Sequence, residues 1–314
     1  MSLTQLRPRS ATEIADVAIQ IVRRHYGPLF VLSALVAIPS LLVGAAQLWL
    51  MPGAMPASIE PGAWLQLIAL TFVGLVFFFI GMGALVRSVS AAYVDGHALE
   101  PGAAIRLALG RGWRLVGANL WAYLRITGFS MLVIILFMVV GGLAMAVVSA
   151  LGLLGGGSAL GAGAPLMAGV LAVVVAFAMV LVMMFAFARY VTVTPVVMLE
   201  DAGALAAVRR ARELSTGNLR RSAGLMLVVF VLYVLGYVSV WAIGTSLLRD
   251  EQLASVLAGV ATVPLYPMVA AIITVLYYDL RIRREGLDIE LLARELSEAS
   301  EVPGAIVPAR EGAR

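Results

Sequence analysis

Hydrophobic residues in this chain come in long blocks rather than in the alternation of a half-exposed strand. Six blocks stand at about residues 29–51, 65–86, 126–150, 165–188, 222–247 and 254–278. Each has at least 22 residues, and about 20 suffice to carry a helix through ~30 Å of hydrocarbon. The pattern predicts six transmembrane helices and an all-α fold.

Between the blocks lie short segments with a one-sided helical stripe. Ser10 and Glu13 have capping-box spacing, and Ile14, Val17, Ala18, Ile21 and Val22 recur on one face up to about Arg24, with Gly27-Pro28 as the stop. A second segment runs from Pro101 to Trp113, with Ile105, Leu109 and Trp113 on one face and Arg106 and Arg114 off it. A third runs from about Asp201 to Ser215, carries Leu205, Val208, Arg209, Arg210 and Arg212, and closes at Gly217-Asn218. Short, basic and one-sided segments suit helices lying in the membrane interface. The chain therefore reads as one unit written three times, an amphipathic helix followed by a membrane hairpin, over about residues 10–95, 96–199 and 200–298. Such repeats are parallel, related by an axis along the membrane normal. Together they make one domain over residues 1–300, ending in a charged helix from about Glu285 to Glu298, with a disordered tail at 301–314.

Charge sets the orientation. Of 22 basic residues, all arginine, 21 fall at the N-terminus, in the second and fourth gaps or after the sixth block; Arg249 is the exception. Cytoplasmic flanks of membrane helices collect Arg and Lys, so both termini are expected inside, in a bacterial inner membrane. Hydrophobic residues make up 62% and charged residues 13%, against about 45–50% and 25% in soluble domains. The net charge of +4 sits at membrane ends, which favours the bilayer and its anionic lipids as partners over nucleic acid. The absence of cysteine excludes disulfides, thiolate metal sites and a cysteine nucleophile. The first apolar block starts late and is too long for a cleavable signal.

Candidate chemistry is sparse. No ionisable residue falls at mid-block, where a catalytic or coupling group of a membrane protein is expected. Arg87, Arg125, Arg189 and Asp279 are the deepest and stand at block ends. Arginine there can snorkel to the headgroups. The alternative is a pocket built from Arg87, Arg189, Asp279, Pro264 and Pro267, with Asp279 pairing an arginine of another repeat. Asp279 is the acid that abuts an apolar block, directly after Tyr277 and Tyr278. His25 and His97 lack metal-ligand spacing; no metal and no cofactor are expected. The six glycines between Leu151 and Ala164 have no Gly-Lys-Ser/Thr sequel and read as a hairpin linker. Pro39 falls inside the first block, and Pro264 and Pro267 inside the sixth. Proline frees backbone carbonyls, and broken helices can line substrate sites. Arg209, Arg210, Arg212, Arg281 and Arg283 are candidate contacts for lipid or a partner.

The segments AAVRRARELSTGN (Ala206 to Asn218) and YYDLRIRREGLDIELL (Tyr277 to Leu292) resemble a bacterial membrane family. These are the stand-alone proteins described as a glycerophosphoryl diester phosphodiesterase membrane domain, with their YciC-like relatives. The resemblance runs from the first amphipathic helix to Leu292 and implies a six-helix membrane module. Some family members add a catalytic barrel; the 22 residues after Leu292 cannot hold one, so the enzymatic part does not transfer. The expected function is a non-enzymatic membrane module or scaffold binding another membrane protein. The alternative is a transporter or lipid-handling protein with a site between kinked helices 1 and 6.

Overall fold

A computed structural model describes residues 8–50, 61–154 and 159–286, and the described residues are helices and their connections with no strand. The element order is α1 (Ala11–Arg24), α2 (Tyr26–Leu50), α3 (Pro61–Val94), α4 (Pro101–Gly110), α5 (Gly112–Leu154), α6 (Ala159–Ala188), α7 (Val193–Leu199), α8 (Ala204–Ser215), α9 (Leu219–Leu248), α10 (Glu251–Ala261) and α11 (Tyr266–Glu285). Among the described residues, six segments are long and apolar enough to cross a membrane: Tyr26–Ala46, Gly62–Val94, Gly112–Ala144, Ala172–Leu199, Leu219–Leu248 and Glu251–Glu285. The fold is that of a multi-pass, all-α membrane protein. The expected hairpin linker from Leu151 to Ala164 is shorter than its glycines suggest, because α5 continues to Leu154 and α6 starts at Ala159; residues 51–60 and 155–158, most of the charged helix after Glu285 and the tail lie outside the described residues.

Burial is concentrated at one end of the bundle. The core is built from the C-terminal half of α3 (Met82, Leu85, Val86, Val89), the start of α5 (Leu115, Ala118, Ala122), α7 (Val196, Val197, Met198) and the middle of α11 from Ala270 to Leu280. Towards the other end, α5, α6 and α9 present their apolar residues outward, as Leu132, Leu136, Val173, Phe177, Val231 and Leu235 do. Lipid is as apolar as leucine, so such faces need no protein cover. At 43 residues, α5 is about 65 Å long, twice the hydrocarbon thickness. Its first turns stand among the charged segments, where α8 packs against it.

The three amphipathic helices lie against the protein at this charged end. Ser10 caps α1 through the Glu13 N–H, with the reciprocal bond from the Ser10 N–H to Glu13. The α1 helix buries Ile14, Ala18 and Ile21 and packs mainly on α11. The α8 helix buries Ala207, Ala211 and Leu214 with the same i, i+4, i+7 spacing, and α4 buries Ala104 and Ala108. The face expected for the second segment is rotated. Small residues are buried because they let α4 approach α3 closely, whereas Leu109 is 56% and Trp113 90% exposed. Trp113 belongs to α5, not to α4. Gly27-Pro28 does not end α1; the break is at His25, and Pro28 sits in the first turn of α2, where its missing N–H has no helical partner. The short helix α7 carries no amphipathic signal because it is buried nearly all round.

Helix crossings depend on a few glycines. A Cβ at Gly81 would meet Val36 Cγ2, and one at Gly244 would lie 2.9 Å from Ala254 Cβ and 3.2 Å from its Cα. Gly128 on α5 faces open space. Gly244→Val is expected to cost about 1–3 kcal/mol by overpacking the α9–α10 hairpin and to lower the unfolding temperature in detergent. Gly128→Val should have far less effect. Equal loss in the two variants would contradict this packing.

Candidate functional site

Asp279 is 2% exposed and stands at the junction of three helices. One carboxylate oxygen accepts the backbone N–H of Arg9 at 2.7 Å. The other accepts Arg283 Nε at 3.0 Å and lies 3.3 Å from Arg221 Nη2. Arg283 also donates to the Arg9 carbonyl at 2.9 Å, and the Arg9 guanidinium stands 6.0 Å from the Tyr93 ring. The group thus joins the segment before α1 to the start of α9 and the end of α11. A buried carboxylate tolerates this position only because charged groups surround it.

Glu200, just after α7, is a second anchor. It accepts Arg210 Nε at 2.9 Å and the hydroxyl of the fully buried Tyr277 at 2.9 Å. Arg281 lies 3.9 Å from it and pairs with Glu285 at 3.0 Å, and Arg210 pairs with Glu285 as well. Burial works against the charge of Arg210, but the hydrogen bond and charge of Glu200, with Glu285, outweigh it and raise its pKa. Asp201 is a third anchor. Its positive φ of 55° turns the chain, and its exposed carboxylate accepts Arg114 at 2.6 Å and lies 3.3 Å from Arg111. Arg111 donates further to the Met198 carbonyl. Neutral bonds complete the end: Ser90 with Tyr278 at 2.8 Å, and Thr194 donating to Asn119 at 3.0 Å.

The arginines singled out from the sequence divide accordingly. Arg210, Arg281 and Arg283 are held inward by carboxylates, while Arg209 and Arg212 line an open cavity between α5 and α8. The charged partners of Asp279 include none of the other four residues grouped with it as a possible pocket. Asp279 is enclosed by Arg221, Arg283 and Arg9, and Arg189 lines a groove between α5 and α6. Arg87 is half-buried on α3. Pro264 and Pro267 lie 12 or more residues before Asp279 on the sixth span, about 18 Å along a helix. They break that span rather than kink it: α10 ends at Ala261, Val263–Leu265 form a 3-10 turn, and α11 begins at Tyr266. Both prolines lack an N–H, and the Thr262 hydroxyl takes up the Gly259 carbonyl at 2.8 Å. Pro39 sits inside a continuous α2.

Beside the break is a cavity of about 280 Å³ between α2, α9 and the sixth span, into which Tyr233, Tyr237, Ser255, Thr262 and Tyr266 face. Sequence reasoning missed these hydroxyls, and it missed Glu200, Arg221 and Arg9 as partners. The doublet Glu200-Asp201 at the foot of the fourth span and Arg220-Arg221 at the foot of the fifth were the available signals. His25 marks the α1–α2 break, and burial, then Arg24 and His97, lower its pKa below 6.5. No cluster of three or more His, Asp or Glu able to hold a metal occurs among the described residues. Compared with protein-family models, curated proteins and solved structures, the chain matches none.

Asp279→Asn is expected to destabilise the bundle by about 3–5 kcal/mol, because it leaves Arg221 and Arg283 without their counter-charge. Asp201→Asn, at an exposed pair, should cost about 0–1 kcal/mol. Unfolding in detergent followed by intrinsic tryptophan fluorescence compares the two. Similar midpoints would remove Asp279 from its place as an anchor.

Proposed function

We propose that this chain is a six-span module of the bacterial inner membrane with both termini cytoplasmic, and that it acts as a non-enzymatic scaffold for another membrane protein. In this reading the chain is built of three parallel repeats, the charged end of the bundle faces the cytoplasm, and its kind is that of the phosphodiesterase membrane domains and YciC-like proteins. One observation carries the reading: Asp279, Glu200 and Asp201 each tie separate helices together through arginine. Their carboxylates make a stiff platform. The shared i, i+4, i+7 burial of α1 and α8 supports the repeat, and the arginine bias supports the orientation.

A second reading is kept because of the hydroxyl-lined cavity beside the broken sixth span. A neutral or lipid-like substrate held there by Tyr233, Tyr237 and Tyr266 would make the chain a carrier working between its first and sixth spans.

Two measurements test these readings. Because the chain has no cysteine, single cysteines at Glu60, Gly156 and Asp250 should react with an impermeant thiol reagent in sealed cells. Cysteines at Ser10 and Ser300 should not; labelling there overturns the topology. Complementation of a strain lacking the gene then separates scaffold from carrier. A chain without residues 287–298 should fail, and Pro264→Ala with Pro267→Ala should succeed. The reverse pair of results supports the carrier instead.

A further inference from the structure

Several inward-facing arginines at the charged end are held by a carboxylate, as at Asp279, Glu200 and Asp201. A group on the α5–α6–α8 side is built differently. Arg125, Arg209 and Arg212 line a cavity of about 540 Å³ with Trp121, Leu205 and Ala206. Arg125 also lines a second cavity of about 260 Å³ with Arg189, Ile126, Phe129, Val182 and Phe185. The two share Arg125 as a common wall, and four arginines line the groove they make up. Glu213, 3.8 Å from Arg209 at an exposed edge, is the one carboxylate paired with any of them among the described residues. Arg125, Arg189 and Arg212 make no ion pair among the described residues.

The order of side chains along the groove has a direction. Arg125 directly precedes an apolar block and Arg189 directly follows one, so both stand where charged sequence gives way to an uninterrupted apolar run. Ile126, Phe129, Val182 and Phe185 lie on the apolar side of that edge. Trp121, with the Arg125 guanidinium 5.3 Å from its ring, and the basic turn of α8 lie on the other side. Tryptophan and arginine both favour the headgroup level, and guanidinium forks bind phosphate oxygens bidentately.

We infer that this groove binds an anionic phospholipid, with the phosphate among Arg125, Arg189, Arg209 and Arg212 and an acyl chain along Ile126, Phe129, Val182 and Phe185. The inference rests on the membrane placement proposed above, not on the choice between scaffold and carrier. A lipid seated there would bridge α5, α6 and α8.

The test uses the full chain in nanodiscs of phosphatidylcholine doped with phosphatidylglycerol that carries a photoreactive group on its acyl chain. Cross-links should map to peptides holding Ile126–Phe129 and Val182–Phe185. They should fall about tenfold in a variant with Arg125, Arg189, Arg209 and Arg212 all changed to Gln. A control with Arg23→Gln and Arg24→Gln removes exposed charge on α1 and should label normally. Unchanged labelling in the fourfold variant overturns the site, as does equal loss in the control or equal labelling by photoreactive phosphatidylcholine. Inorganic phosphate that abolishes labelling points to a free-phosphate site and overturns the lipid assignment. Thermal unfolding of the fourfold variant, expected near that of the parent, separates lost binding from lost fold. Cysteine labelling at Ser10 and Ser300 reports separately on failure of the membrane placement.

Discussion

A carboxylate with almost no access to solvent holds the two ends of the described chain together. Asp279 accepts the Arg9 N–H and pairs with Arg221 and Arg283, residues up to 270 positions apart. In a bilayer, burying apolar surface between helices gains little, because the lipid is equally apolar. Order must then come from close packing and from polar groups that cannot be left unpaired. The bundle answers with acids at the feet of its helices and arginines from neighbouring helices around them.

The rest of the architecture follows from that concentration. The charged end carries the core, the buried tyrosines and the docked helices α1, α4 and α8. The other end is held by narrower means, such as the glycine contact of Gly244 with Ala254, and leaves its outer faces to the acyl chains. The break in the sixth span divides the two regimes. Above it, α10 leans on α9; below it, α11 is buried without a gap from Ala270 to Tyr277.

The spans and amphipathic segments were legible because hydrophobic block length and helical periodicity record burial in lipid and burial on one face. Local pattern could not reveal α7, which is buried all round and so looks like the end of the preceding span. It also misjudged α4, since large apolar residues draw the eye while Ala104 and Ala108 make the contact. Pro264 and Pro267 announced a disturbance, but a kink and a break share the same letters. Asp279 stood out by its position after an apolar block. Its partners did not, because pairing of Arg9 with Asp279 is a fact of tertiary proximity that no spacing encodes. Arg210 and Arg212 illustrate the same limit: neighbours in sequence, one held by Glu200 and the other open to the groove.

The long separation between Arg9 and Asp279 has a consequence for synthesis. The first amphipathic helix leaves the ribosome well before α11 exists, so its docking surface is missing while five spans are made. During that time Ile14, Ala18 and Ile21 have the membrane surface as their available apolar refuge. Only when α11 is in place can α1 leave the surface and lock beneath it. A chain stalled before residue 279 would therefore display a loose N-terminal helix, a physical mark of incompleteness that membrane quality control can read.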